Sequence, residues 1–163
     1  MRDVISVSDE AVQALWQKVC QTTGADPSSL TAVERFGDSA DMADTLLALV
    51  LVGTKTATAG LARNFEMRGE PLSQPGDHWV VLDGQDAPQC VLRTVQIRVG
   101  VLESVDAAFA WDEGEGDRTR EYWLDAHRRA FLRRAQREDL PYDEQRDLVV
   151  FERFEVVWPR PSD

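Results

Sequence analysis

Lys55 stands in the stretch Gly53-Thr54-Lys55-Thr56-Ala57-Thr58, a lysine among three hydroxyls directly after a helix stop. The chain has two lysines, Lys18 and Lys55, against sixteen arginines. Where arginine is the default cation, a lysine here offers something arginine lacks: its ammonium gives up a proton on burial and can act as a base beside a hydroxyl nucleophile. Lys55 and Thr58 would meet on one helical turn or a kinked loop, whereas on a regular strand they face opposite sides. The same residues also read as a polar β-edge without chemistry. A P-loop is excluded, because its glycine-rich turn is absent and the helix precedes the lysine.

A second group is Asp112-Glu113-Gly114-Glu115-Gly116-Asp117-Arg118-Thr119. Two glycines among acids make a bending loop that can point a carboxylate into a cleft, and the acids lie at the positive end of the next helix. Asp117 reads as a helix cap, and Glu115 as a general acid/base or a nucleic-acid contact. Calcium is a third option, although the stretch lacks the EF-hand pattern. His78 and His127 are the only histidines, too few for a multi-histidine metal site, and each reads as a packing or surface residue. Cys20 and Cys90, without a CxxC, read as core thiols. No G-x-S-x-G elbow is present. The sequence implies no metal and no cofactor.

The elements that must position these groups are signalled by period and caps. Ser8-Asp9-Glu10 opens a helix over about 8–22, with Val12, Leu15, Trp16 and Val19 on one face. Residues 32–36 look extended. Ser39 caps a second helix that Gly53 stops. The turn-rich segment 71–77 leads into a strand at 78–83; residues 89–101 and 148–158 form further strands. Between these last two lies a helix over about 119–137, with Tyr122, Trp123, Ala126, Ala130 and Phe131 as its apolar stripe. Regular βα alternation is missing, so the expected fold is α+β: a small antiparallel sheet or barrel with helices packed at its ends.

The chain has 163 residues, 43% of them hydrophobic and 29% charged, which suits a single globular domain. The run Leu46–Val52 is far short of the roughly 20 apolar residues of a membrane span, and residues 1–6 lack a secretory pattern, so a cytoplasmic protein without a membrane partner is expected. The formal net charge of −11 opposes loose adhesion to polyanions. Yet residues 118–137 hold seven arginines against Glu121 and Asp125. This basic island either steers an anionic ligand or is a solvated helix face that balances acidic neighbours.

Taken in order, Arg35-Phe36-Gly37-Asp38-Ser39, Gly53-Thr54-Lys55-Thr56-Ala57-Thr58, Pro75-Gly76-Asp77, Glu113 to Arg118 with Tyr122-Trp123, and Phe151-Glu152-Arg153-Phe154 resemble the longer bacterial branch of the ASCH-domain family. The resemblance covers about residues 32–158, leaving 1–31 as an N-terminal helical extension and 159–163 as a tail. It implies a PUA-like fold, a small β-barrel with helices at its mouth and a cleft associated with RNA or modified nucleosides. In the family signature G-x-K-x-x-E-x-R, Gly53 and Lys55 match, while Thr58 replaces the Glu and Gly60 the Arg, which is closer to a G-x-K-x-x-T branch. That branch includes amidohydrolases that remove acetyl from N4-acetylcytidine. The resemblance therefore implies Thr58 as nucleophile, Lys55 as its activator and Glu115, or the neighbouring Glu113, as acid/base. Phe36, Thr56, Arg118 and Arg128, in or beside these motifs, are candidate substrate contacts. The alternatives are an RNA-binding module or a ribonuclease using the same cleft; no DNA specificity is evident.

Overall fold

The computed structural model describes residues 5–160. Helices α1 (Glu10–Thr23), α2 (Ala40–Leu51), α3 (Ala62–Met67), α4 (Ala107–Glu113) and α5 (Arg120–Arg137) accompany strands β1 (Leu30–Glu34), β2 (Ala57–Leu61), β3 (His78–Leu82), β4 (Pro88–Gly100) and β5 (Val149–Trp158). The strands hydrogen-bond in the order β1-β3-β4-β5-β2. The expected α+β architecture is the one adopted. Its strands make an open, mixed sheet rather than a purely antiparallel one: β1 runs parallel to β3, while β3–β4 and β2–β5 are antiparallel.

The described residues divide into two compact units, 5–53 with 73–95 and 154–160, and 54–72 with 96–153. In the first, β3 is buried at every position, as expected of a strand covered on both faces. Alternation along it separates two cores. Val80 and Leu82, with Val91, pack on Val12, Trp16 and Val19 of α1; Trp79 and Val81, with Cys90 and Leu92, pack on Leu47 and Val50 of α2, Phe36 and Phe154. Each large apolar side chain buried this way contributes roughly 1.5–3 kcal/mol. Asp9, rather than Ser8, caps α1, its carboxylate accepting from the Ala11 and Val12 amides, and Ser39 caps α2.

In the second unit, Ala57, Ala59 and Leu61 of β2 and Val149 and Phe151 of β5 present one face to Phe109 and Ala110 of α4 and to Trp123, Leu124 and Phe131 of α5. Thr58 and Gly60 alternate with those residues, so they belong to the opposite strand face. Three elements depart from expectation. Residues 62–67 form the short helix α3 where the sequence signals no element. Residues 107–113, where the sequence signals no element, form α4, with Asp106 as N-cap and Gly114 as left-handed C-cap. Thr119, rather than Asp117, caps α5; Asp117 instead accepts from the Thr119 amide and hydroxyl.

Candidate active site

The segment before β2 is fastened to the C-terminal end of α4. The Thr56 amide donates to the Asp112 carbonyl at 2.7 Å, and its hydroxyl to the same oxygen at 3.3 Å. Gly114 makes the approach possible. At φ +70° it ends α4 in the left-handed conformation, and a Cβ there would stand 2.4 Å from the Thr54 carbonyl oxygen and 3.0 Å from the Lys55 Cα. The position therefore needs glycine for both its dihedral and its close backbone contact.

This docking carries the Lys55 side chain inward, where it is 1% exposed. Its Nζ donates to the Ala57 carbonyl at 2.8 Å, Glu113 Oε1 at 3.2 Å, Glu115 Oε2 at 3.1 Å and the Glu113 carbonyl at 3.4 Å. A buried lysine needs such partners, because an unpaired ammonium in an apolar interior costs several kcal/mol. The Ala57 carbonyl belongs to the peptide that leads into Thr58. In a planar trans peptide the carbonyl oxygen lies under about 3 Å from the next Cα, so Nζ is within about 6 Å of the Thr58 Cα. Thr58 itself is half-buried on β2, opposite Glu152 of β5.

The two carboxyls differ. Glu113 is 2% exposed and Glu115 29%. Glu113 Oε2 accepts from the Trp123 indole N–H and lies 3.3 Å from His127 Nε2. Burial works to raise the Glu113 carboxyl, but His127 and Lys55 overcome it and hold it well below the usual carboxylate range. Glu115 moves the other way: burial and the charge of Glu113 raise it, with Lys55 in opposition. Burial would lower His127, yet the adjacent Glu113 carboxylate raises it. Aromatic rings floor the cluster: Trp123 stacks on His127 at 3.8 Å and on Phe151 at 5.9 Å, and Phe109 meets both Trp123 and Phe151 edge-on.

Of the other candidates, Arg118 lies beside this group. It is held at φ +63°, its guanidinium 3.7 Å from the centre of the Trp111 ring, and it donates to the Trp111 and Thr54 carbonyls. Arg128 is turned to Glu103 and Glu144 on the surface. Phe36 belongs to the core of the other unit, against Trp79 and Phe154. Much of the basic island is balanced locally: Arg120 pairs with Glu103, Arg129 with Asp125 and Arg134 with Glu138. The solvated-face alternative thus describes this stretch well.

Comparison with known proteins fits this geometry. The family model for the ASCH domain matches residues 32–158. The chain belongs to the ASCH family. Among solved structures, this ASCH protein is similar to the ASCH domain from Lactobacillus crispatus JV V101, at 26% identity and a TM-score of 0.81, over 91% of this chain and 95% of that one. It is also similar to a protein from Enterococcus faecalis V583, at 30% identity and a TM-score of 0.80, over 90% and 88% of the two chains. No curated protein matches it. The family is PUA-like and associated with RNA binding.

Two members of the buried cluster are not evident from the sequence. Trp123 reads only as part of an apolar stripe and His127 only as a packing or surface residue, yet the i, i+4 spacing that stacks them on α5 also aims both N–H groups at Glu113. A polar histidine on the apolar stripe of a helix was the available signal. Among the described residues, no group of three or more His, Cys, Asp or Glu side chains is arranged to hold a metal ion. No helix among them is long and apolar enough to cross a membrane.

Proposed function

We infer that this ASCH protein is a nucleoside- or RNA-directed hydrolase that removes an acyl group from a modified pyrimidine such as N4-acetylcytidine. The observation that carries the reading is the buried Lys55 amine, held between two glutamates and one peptide away from the Thr58 residue it would activate. Proton transfer from Lys55 to Glu115, which burial disposes to accept it, leaves a neutral amine. Thr58 Oγ then bonds to the acyl carbon as its proton passes to Lys55. Glu115 returns its proton to the exocyclic nitrogen as the C–N bond breaks, and water hydrolyses the acyl-threonine to regenerate the hydroxyl. Thr56 positions the loop through its two bonds to Asp112, and Arg118, whose amide donates to the Glu115 carbonyl, is the candidate substrate contact beside that acid.

The test is turnover of N4-acetylcytidine, followed by absorbance or chromatography, beside Lys55→Ala and Thr58→Ala. Deacetylation by the wild type that is lost in both variants, with circular dichroism unchanged, is the expected result. Full activity in either variant overturns the assignment.

A second reading, RNA binding without catalysis, draws on Trp111. It is 56% exposed with the Arg118 guanidinium stacked on it, and an aromatic–arginine pair is a surface on which a base can stack. It predicts affinity that falls with salt and survives Thr58→Ala.

A further inference from the structure

We propose that His127 is a positioning residue: by donating to Glu113 it fixes that carboxyl as the permanent anion of the pair and leaves Glu115 as the carboxyl that carries the mobile proton. The assignment rests on the hydrolase reading for its consequence in turnover, but its physical content is separate.

The geometry of the ring is the starting point. His127 Nδ1 lies 2.9 Å from the Trp123 carbonyl oxygen, which can only accept, so Nδ1 carries a hydrogen. Nε2 lies 3.3 Å from a Glu113 oxygen that also takes the Trp123 indole N–H. With acceptors at both nitrogens, the imidazole is satisfied as the cation. Stacking on Trp123 and an edge contact with Phe131 hold its plane. Glu113 thus receives Trp123 and His127 at one oxygen and Lys55 at the other, an arrangement that suits a carboxylate and leaves poor geometry for a proton. Glu115 has one edge on Lys55 and is the more exposed of the two, so it can exchange a proton with a bound molecule.

Other charges on the surrounding elements face elsewhere. From α4, Asp112 pairs with Arg153 of β5. Arg153 also reaches Gln96 of β4, and Arg98 of β4 bonds Ser104 and covers Phe151. On α5 itself, Arg128 turns to Glu103 and Glu144. Glu113 is the principal charge acting on His127, with Glu115 and the Trp123 carbonyl behind it, and Lys55 acts on the two glutamates.

Three titrations test this. In wild-type protein, imidazole 15N NMR should give His127 a midpoint above the ordinary value near 6.5, with His78 below it as an internal control; a His127 midpoint at or below 6.5 overturns the proposal. In protein labelled at the glutamate Cδ, His127→Gln should bring the Glu113 and Glu115 steps together by at least tenfold in relative proton affinity; unchanged steps overturn it. Should His127→Gln fail to fold, Glu113→Gln, which keeps the shape, should drop the His127 midpoint by at least tenfold, and no drop is equally fatal. In turnover, His127→Gln should move the alkaline limb to lower pH, which a merely structural role would not do. Absent wild-type turnover with these titrations intact removes the hydrolase reading alone; normal turnover with titrations unmoved by His127→Gln removes this proposal alone.

Discussion

His78 and His127 are both largely enclosed, one in each compact unit, and their rings are driven in opposite directions. His78, beside Trp16 and hydrogen-bonded to the Ser29 hydroxyl, is pushed down by burial and by Arg93, against the pull of Asp77 and Glu155. His127, also enclosed by rings, is raised because Glu113 outweighs burial. Enclosure alone does not assign a histidine its role; the sign of the charge locked beside it does. The first unit sets a histidine with a lowered proton affinity at the margin of an apolar core, whereas the second sets Lys55, Glu113 and His127 as a paired cluster against the aromatic rings of its core.

The comparison breaks most severely at Glu113. Its replacement by alanine strands Lys55 and His127 without their shared carboxylate, and urea unfolding should show a loss of about 3–5 kcal/mol, far more than His78→Gln costs. Glu115→Gln removes the proton carrier rather than the anion: turnover should fall by about 10²–10⁴, while the loss of stability, read by the same urea titration, should be smaller than for Glu113→Ala, because Lys55 keeps its pair with Glu113. Gly114→Ala forces a Cβ onto the Thr54 carbonyl at a left-handed φ, and thermal denaturation should register a loss of about 1–3 kcal/mol.

Acidity separates the histidines more gently. A raised His127 stabilises the fold fully below pH about 6.5, and that stability is lost as pH rises through its higher folded midpoint; a lowered His78 favours the unfolded chain as pH falls below about 6.5. Denaturation curves should therefore give wild type a margin over His127→Gln that grows on acidification from alkaline pH to about 6.5. The margin over His78→Gln should shrink below that pH. Each effect is about 1.4 kcal/mol for every tenfold difference in the ring's proton affinity between the folded and unfolded chain. Smallest is charge reversal at Arg128 and Arg129, whose exposed pairs are worth about 0–1 kcal/mol; deacetylation should be unchanged and only any RNA cleavage abolished.

Much of this is legible in the sequence where local physics decides. Ser39 and the periodic apolar residues of α1, α2 and α5 specify those helices through a cap and packing faces, whereas the α5 cap falls on Thr119 and not on the Asp117 that the sequence suggests. The β-edge alternative for the Lys55 segment holds only for Thr58, which lies within β2, the last strand of the sheet; Lys55 precedes the strand and is buried among its ion-pair partners. What the sequence conceals is long-range. Lys55 meets Glu113 and Glu115 across 58 and 60 positions, and no local pattern encodes which of two acids flanking Gly114 turns inward. Helix α4 is hidden for a different reason: its Asp106 and Gly114 caps are ordinary signals, but the acids at 112–117 give the whole stretch the look of a loop.

The seam between residues 54–56 and the end of α4 also bears on how the chain tolerates change in length. Three backbone carbonyls, those of Thr54, Asp112 and Glu113, are engaged there by Arg118, Thr56 and Lys55, and Gly114 leaves no slack for a thicker backbone. A single inserted residue in 54–56 would slide Lys55 out of register with both acids, while the exposed turn at Gly69–Glu70 can lengthen without touching them. Length variation among descendants of this chain should therefore accumulate at that turn and spare the seam.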